Sequence, residues 1–237
     1  MKAEYVDRMG NDLSVVNAAR VSFNKTSSYV YLDEDGNEVE LKVQDGISKD
    51  FLDPPKVIRG KDVGLIKFLA KHHHWTPFAH TAITLRMQAP IPIRTQAFKH
   101  KVGLIENEES RRYISTAPDY FTPTFRQQAS DKKQGSGEAF DPSTQTKLQS
   151  FYDGVMSDAV SNYDYLLELG VAEEQARFVL PQGCEVNWVW TGNLVSFANF
   201  VNKRSKSDAQ GEIQDLAKQV NDVIAPLFPH SWAALTS

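Results

Sequence analysis

The sequence predicts an α+β fold with helices in the majority. Three observations carry this reading. Several segments space apolar residues three and four apart. Others alternate them with polar residues, and capping residues, Gly and Pro mark the boundaries between the two kinds. A chain of 237 residues with 41% hydrophobic and 24% charged residues suits a single large domain spanning 1–237.

In order along the chain, Asn11–Arg20 reads as a capped helix with Leu13, Val16 and Ala19 on one face. Residues 24–60 read as a surface insertion, because Tyr29–Leu32 and Val39–Val43 flank an Asp35-Gly36 turn like the arms of a hairpin. Asp62–His73 reads as an amphipathic helix with Leu65, Ile66, Phe68 and Leu69 buried, ended by Thr76-Pro77. His80–Met87 alternates as a strand, Pro90 and Pro92 stop it, and Ile93–Lys101 follows as a helix. Residues 127–140 read as a mobile loop, poor in large apolar side chains. Asp141-Pro142 opens a helix to Glu168 with Leu148, Phe151, Val155, Tyr163, Leu166 and Leu167 inside, and Gly170 closes it. Ala172–Val179 and Asn193–Asn202 are helical around a strand at Glu185–Trp190. Ser207–Gln210 is a capping box for the last long helix, whose core face is Ile213, Ala217, Val220 and Ile224.

The charge arithmetic, Lys+Arg 26 against Asp+Glu 30, gives a net charge of -4 and argues against a whole-chain footprint for nucleic acid. No run is long and apolar enough to span a bilayer, and the N-terminus lacks an apolar signal core, so the expectation is a soluble, cytoplasmic protein. The single cysteine, Cys184, excludes a disulfide framework and a multi-cysteine zinc site. No cation neighbours it in sequence to lower its pKa, so it reads as structural. His72-His73-His74 does not read as a metal site, since adjacent helical residues point apart.

The densest polar stretch is Arg94–Lys101 with Glu106–Tyr113. Gln96, Lys99 and His100 share one face if the helix runs through them, and Ser110 and Arg112 point the same way if that segment is extended. Cations with hydroxyl and amide donors suit an anionic ligand. Arg177 and Arg204 are isolated cations in helical stretches, Arg204 at a helix–helix junction. No glycine-rich phosphate loop is present, so a nucleotide must be held by other means.

These segments together resemble the flavin-dependent thymidylate synthase (ThyX) family. The family's Arg-His-Arg triplet, spacer and Asn-Glu-x-Ser-x-Arg-Tyr are similar to Lys99-His100-Lys101 and Asn107-Glu108-Glu109-Ser110-Arg111-Arg112-Tyr113. Further similar segments are Met9–Ser14, Ala18–Phe23, His74–His80, Ala176–Pro181, Asn199–Arg204 and Ala209–Ile213. Lys99 and Lys101 replace arginines, the spacer is one residue longer, and Ala79 and Val195 stand where the family often has Glu and Arg. The resemblance implies a central antiparallel sheet flanked by helices and a homotetramer with active sites shared between subunits. It implies reductive methylation of dUMP to dTMP, with methylenetetrahydrofolate as carbon donor and NADPH reducing a bound FAD. The alternative is a catalytically silent nucleotide-binding relative with a regulatory role.

Site residues follow from the same resemblance. Arg204, Ser110 and His74 would be catalytic. Gln96, Lys99, Glu108, Glu109, Ser110, Arg111, Arg112, Arg177 and Arg204 would meet dUMP. Thr76, Lys99, His100, Lys101, Glu108, Asn193 and Asn199 would meet FAD, and no metal is expected.

Overall fold

The computed structural model describes residues 1–33, 35–39, 56–129 and 135–237. The elements in the N-terminal half are β1 (Lys2–Met9), α1 (Asp12–Arg20), β2 (Tyr31–Leu32), β3 (Glu38–Val39), α2 (Gly60–Lys71), α3 (Thr76–Ala79), β4 (Ala82–Pro90), α4 (Ile91–Ala97) and β5 (Leu104–Glu108). There follow α5 (Pro142–Glu168), α6 (Glu173–Ala176), β6 (Glu185–Gly192), α7 (Leu194–Arg204), α8 (Gly211–Ile224) and α9 (Pro229–Leu235).

The fold is α+β. Four strands form an antiparallel sheet in the order β1-β4-β6-β5, and β2 pairs with β3 as a separate hairpin. Alternation along the two central strands sets the layers. Ile83, Leu85, Met87 and Ala89 of β4 and Val186, Trp188 and Trp190 of β6 are buried on one face. Arg86 and Val189 on the other face remain exposed. Helices α1, α2, α7, α8 and α9 fill the core over the buried face. Trp190 sits between Phe197 and Phe200, edge-on to both with ring centroids 5.3 and 4.9 Å away. Such a contact adds about 1 kcal/mol beyond the area it buries.

Several local signals hold. Asn11 caps α1 in a full capping box with Ser14. The Asp141 carboxylate accepts from the backbone N–H groups of Ser143 and Thr144, with Pro142 in the first turn of α5. The hairpin turn is closed by Gly36 N–H to the Asp33 carbonyl, with Gly36 at φ +81°. The rest of the expected second arm, and the centre of the expected mobile loop, lie outside the described residues. The loop's base is held by Gln127 N–H to the Glu138 carbonyl and by a bridge between Arg126 and Ala139.

Other expectations are corrected. Phe68 is 52% exposed and lies against the His72 ring at 4.4 Å, off the core stripe. Phe151 and Val155 are also exposed, at 74% and 48%, because α5 packs mainly on the α6 segment and turns its middle outward; Met156 and Tyr163 are the buried positions. The capping box at Ser207–Gln210 does not form. Helix α8 starts at Gly211, so Ser207 lies too early, and the Gln210 side chain is bonded to Gln96 and Glu212. Pro77 opens α3 rather than simply ending α2. Helix α2 stops at Lys71 in a Schellman motif, with His73 N–H on the Ala70 carbonyl and His74 N–H on the Leu69 carbonyl. His73 occupies at φ +56° the left-handed position that usually takes glycine. Strands β1 and β5 were not foreseen. Both are sheet edges, and the nearly continuous exposure of β1 leaves no alternation to read. The short α9 was also not foreseen; its first N–H groups at His230 and Ser231 are capped from a distance by the Asp12 carboxylate.

Candidate active site

Helix α7 and the turn before β5 build the site. Asn193 caps α7, its Oδ1 accepting from Ser196 N–H at 3.0 Å and Ser196 Oγ–H at 2.9 Å. Ser196, Asn199 and Lys203 then recur at helical spacing, and this stripe, ending in Arg204, lines one wall of a cavity of about 530 Å³. The opposite wall is Lys99–Val102 with Leu104. That segment lies close to α7 because Gly103, at φ +71°, has no side chain: a Cβ there would overlap Ser196 Oγ and lie 2.9 Å from Asn193 Nδ2. A larger cavity of about 1010 Å³ adjoins the first and shares Val102, Ser196 and Asn199 with it. Lys67, Lys71, His74, Trp75 and Asn193 also line it.

Arg204 is fixed at the end of α7. Its Nε–H donates to His100 Nε2 at 2.9 Å, and Nη2 donates to the Gln96 carbonyl at 3.2 Å. Burial, then the charges of Arg204 and Lys203, pull the His100 pKa down to about 4. The imidazole is therefore neutral at pH 7 and free to accept a proton donor at Nε2. Its ring stands edge-on to Phe200 with centroids 5.1 Å apart. The Gln96 side chain donates to Gln210 Oε1 at 2.7 Å, which ties α4 to the start of α8.

A second group of expected site residues gathers beyond the other end of β5. Leu104 and Glu108 are four residues apart on one strand, a separation of about 13 Å at 3.3 Å per residue. Glu108 pairs with Arg94 at 3.0 Å. Burial raises the Glu108 pKa, Arg94 opposes that, and Glu109 and Glu106 add to it. Glu109 accepts from Asn187 Nδ2 at 3.0 Å, and Arg111 donates to the Thr116 carbonyl. Arg112 pairs with Glu174 at 3.0 Å, and Arg177 Nε–H donates to the Glu174 carbonyl at 3.1 Å.

The expected residues thus divide. Lys99, His100, Lys101, Asn199 and Arg204 line the smaller cavity, and His74, Asn193 and Asn199 line the larger. Glu108, Glu109, Ser110, Arg111, Arg112 and Arg177 form the distal group, and among the described residues no hydrogen bond or ion pair joins them to Arg204. Thr76 is exposed beside Trp75 and does not line either cavity. The common face expected for Gln96, Lys99 and His100 is not helical, since α4 ends at Ala97 and Lys99 and His100 close turns onto the Gln96 and Ala97 carbonyls. Ser110 and Arg112 are not extended either. They form a turn, with Tyr113 N–H on the Ser110 carbonyl and Arg112 N–H on Ser110 Oγ. Lys203, Ser196, Lys67 and Lys71 were missed. The i, i+4 pair Lys67 and Lys71 and the stripe through Ser196, Asn199 and Lys203 carry the signal that could have found them.

The two joined cavities suit a large anionic cofactor. Lys67, Lys71, Lys99, Lys101 and Lys203 surround them, the Asn193 and Asn199 side-chain amides add donors, and the backbone at Gly103 is bare. Among the described residues no group of three His, Cys, Asp or Glu side chains could hold a metal ion. Cys184 is buried, and burial raises its thiol pKa, opposite to what a nucleophile needs.

Fold and site together define an α+β protein with a cleft lined by lysines and Arg204. A family model described as thymidylate synthase complementing protein matches residues 4–230. A flavin-dependent thymidylate synthase of Thermosipho africanus is 33% identical over 230 residues, covering 97% of this chain and 88% of that one. Its counterpart in Wolbachia pipientis is 31% identical over 235 residues, covering 97% and 71%. The crystal structure of a UMP/dUMP methylase, PolB from Streptomyces cacaoi bound with 5-Br dUMP, superposes with a TM-score of 0.76 at 28% identity, covering 99% and 94%. This chain belongs to the flavin-dependent thymidylate synthase family. No helix among the described residues is long and apolar enough to cross a membrane.

Proposed function

We propose that this chain is an enzyme that methylates C5 of dUMP, using a bound FAD, methylenetetrahydrofolate as carbon donor and NADPH as reductant. The observation that carries the reading is Arg204, fixed by His100 and Gln96 at the edge of a cavity ringed by Lys99, Lys101 and Lys203. Family membership and the dUMP methylase neighbour support the same substrate.

On this reading the flavin supplies the hydride chemistry. Arg204 would face the pyrimidine and stabilise the negative charge that develops as N3 ionises, which raises electron density at C5. A fixed guanidinium in a partly desolvated site does this without reorganising. Lys99, Lys101 and Lys203 would hold phosphate oxygens as point charges. Asn193 and Asn199 would orient the cofactor with amide donors, and His74 with Trp75 would shield the larger cavity from water.

Ser110, Arg111, Arg112 and Arg177 would bind the dUMP phosphate and sugar of a neighbouring subunit's site in a homotetramer. That no hydrogen bond or ion pair among the described residues joins them to Arg204 supports this. So do the exposed Phe151 and Val155 on α5 and Ile105 and Val189 on the open sheet face. The cytoplasm would supply all three small molecules.

The test is tritium release from 5-tritiated dUMP by the FAD-loaded protein with folate and NADPH, run in parallel with UMP. Turnover of dUMP is expected, and Arg204→Ala should abolish it while FAD stays bound. A folded, FAD-loaded protein that releases no tritium overturns the proposal. Bleaching of the flavin by NADPH under anaerobic conditions separates an enzyme from a silent nucleotide binder.

A further inference from the structure

We infer that His100 is a positioning residue for Arg204, its Nε2 accepting the Arg204 Nε–H so that the free edge of the guanidinium faces the cavity. The inference rests on the role proposed for Arg204 and assigns His100 a partner within the protein. In a guanidinium, Nε–H and one N–H of Nη2 lie along the same edge. Here that edge is fully used, by His100 Nε2 at 2.9 Å and the Gln96 carbonyl at 3.2 Å. Nη1 has no hydrogen bond among the described residues, so it and the second N–H of Nη2 remain for a ligand. Two acceptors from one turn therefore set the plane of the guanidinium.

The imidazole is itself held. His100 N–H donates to the Ala97 carbonyl at 3.0 Å, and the ring meets Phe200 edge-on. Phe200 lies one helical turn before Arg204 on α7, so the same helix presents both the wall and the group it steadies. The charges that act on the ring are Arg204 and Lys203 from α7, both cations; Lys99 and Lys101 line the same cavity, and Lys101 is paired with Glu106. A protonated imidazole would repel Arg204 and could not accept at Nε2, whereas the neutral ring accepts without adding a cation. With Nε2 engaged by Arg204, His100 has only Nδ1–H left for a ligand.

The experiment compares His100→Leu with His100→Gln, whose amide oxygen can restore the acceptor. Losing a hydrogen bond to a charged donor should lower kcat/KM for dUMP by about tenfold to a hundredfold in the Leu variant. The Gln variant should recover most of that, and FAD affinity, read from flavin absorbance, should fall less than kcat/KM for dUMP in both. Loss of FAD with dUMP affinity intact would overturn the inference, as would a Gln variant no better than the Leu variant. A second readout needs no ligand or turnover: the ring ¹⁵N signals of His100 in the wild type and in Arg204→Leu. A shift of the Nε2 resonance when Arg204 is removed is expected, and an unchanged resonance overturns the inference. If the wild type turns over no dUMP, the proposed function falls while the ¹⁵N comparison still decides this point.

Discussion

Adding one methyl group at Gly103 should loosen the whole candidate site. Gly103 has φ +71°, and its missing side chain is what lets the Lys101–Leu104 segment lie against the start of α7. An alanine there meets two costs. Left-handed backbone costs an L-residue with a Cβ about 1–2 kcal/mol. The Cβ would also overlap Ser196 Oγ and stand 2.9 Å from Asn193 Nδ2, on the two side chains that form the α7 cap through Asn193 Oδ1. Forcing an extra methyl into a packed contact costs about 1–3 kcal/mol. The sum is about 2–5 kcal/mol, a fall in Tm of about 4–20 °C for a domain of this size. Gly170 provides the control, since at φ +80° it has nothing within 4 Å of its would-be Cβ. Gly170→Ala should therefore carry only the backbone cost, a fall of about 2–8 °C. Thermal melts of both variants beside the wild type make the test. Equal melting temperatures for Gly103→Ala and Gly170→Ala would refute the close approach of the turn to α7.

Three further outcomes are expected. The folded-state pKa of His100 lies at about 4, below its ordinary 6.5, so the folded state binds the proton more weakly than the unfolded chain. Its contribution to stability is then complete above pH 6.5 and is lost as pH falls toward 4. Denaturant melts across that window should fall less steeply for His100→Gln, and an identical slope would contradict the assignment. His73→Gly should raise stability by about 1 kcal/mol by relieving the left-handed backbone, and His73→Val should lower it; a destabilised Gly variant would mean that the imidazole holds the turn. Cys184→Ala should keep dUMP turnover and lose about 1 kcal/mol of stability, since the thiol is buried with a raised pKa; complete loss of turnover in a folded variant would contradict its structural role.

The sequence by itself determined what depends on near neighbours. The caps at Asn11 and Asp141, the Asp-Gly turn, the alternation of β4 and the apolar stripe of α8 are local patterns, and each appears in the structure. The ordered motifs were equally legible, because they are strings of residue types that need no geometry to be read. Periodicity shows that a face is apolar but not what covers it. Phe68 and Phe151 therefore read as core, while the tertiary arrangement leaves both exposed. Edge strands such as β1 carry no alternation because neither face is fully enclosed, so its place beside β4 came only from the fold.

The same boundary runs through the site. Arg204 and His100 were each legible as candidates, but they are 104 residues apart, and no local pattern foretold that one imidazole nitrogen would accept from the other's guanidinium. Nor did the sequence show that Ser110, Arg112 and Arg177 would stand at the far end of β5, with Arg112 and Arg177 both bonded to Glu174. The sequence chose the chemical groups, because charge and hydrogen-bonding capacity belong to residue types. The tertiary structure decided which of them meet, because that depends on strand order, on the bare backbone at Gly103 and on helix α7, all set by contacts between distant parts of the chain.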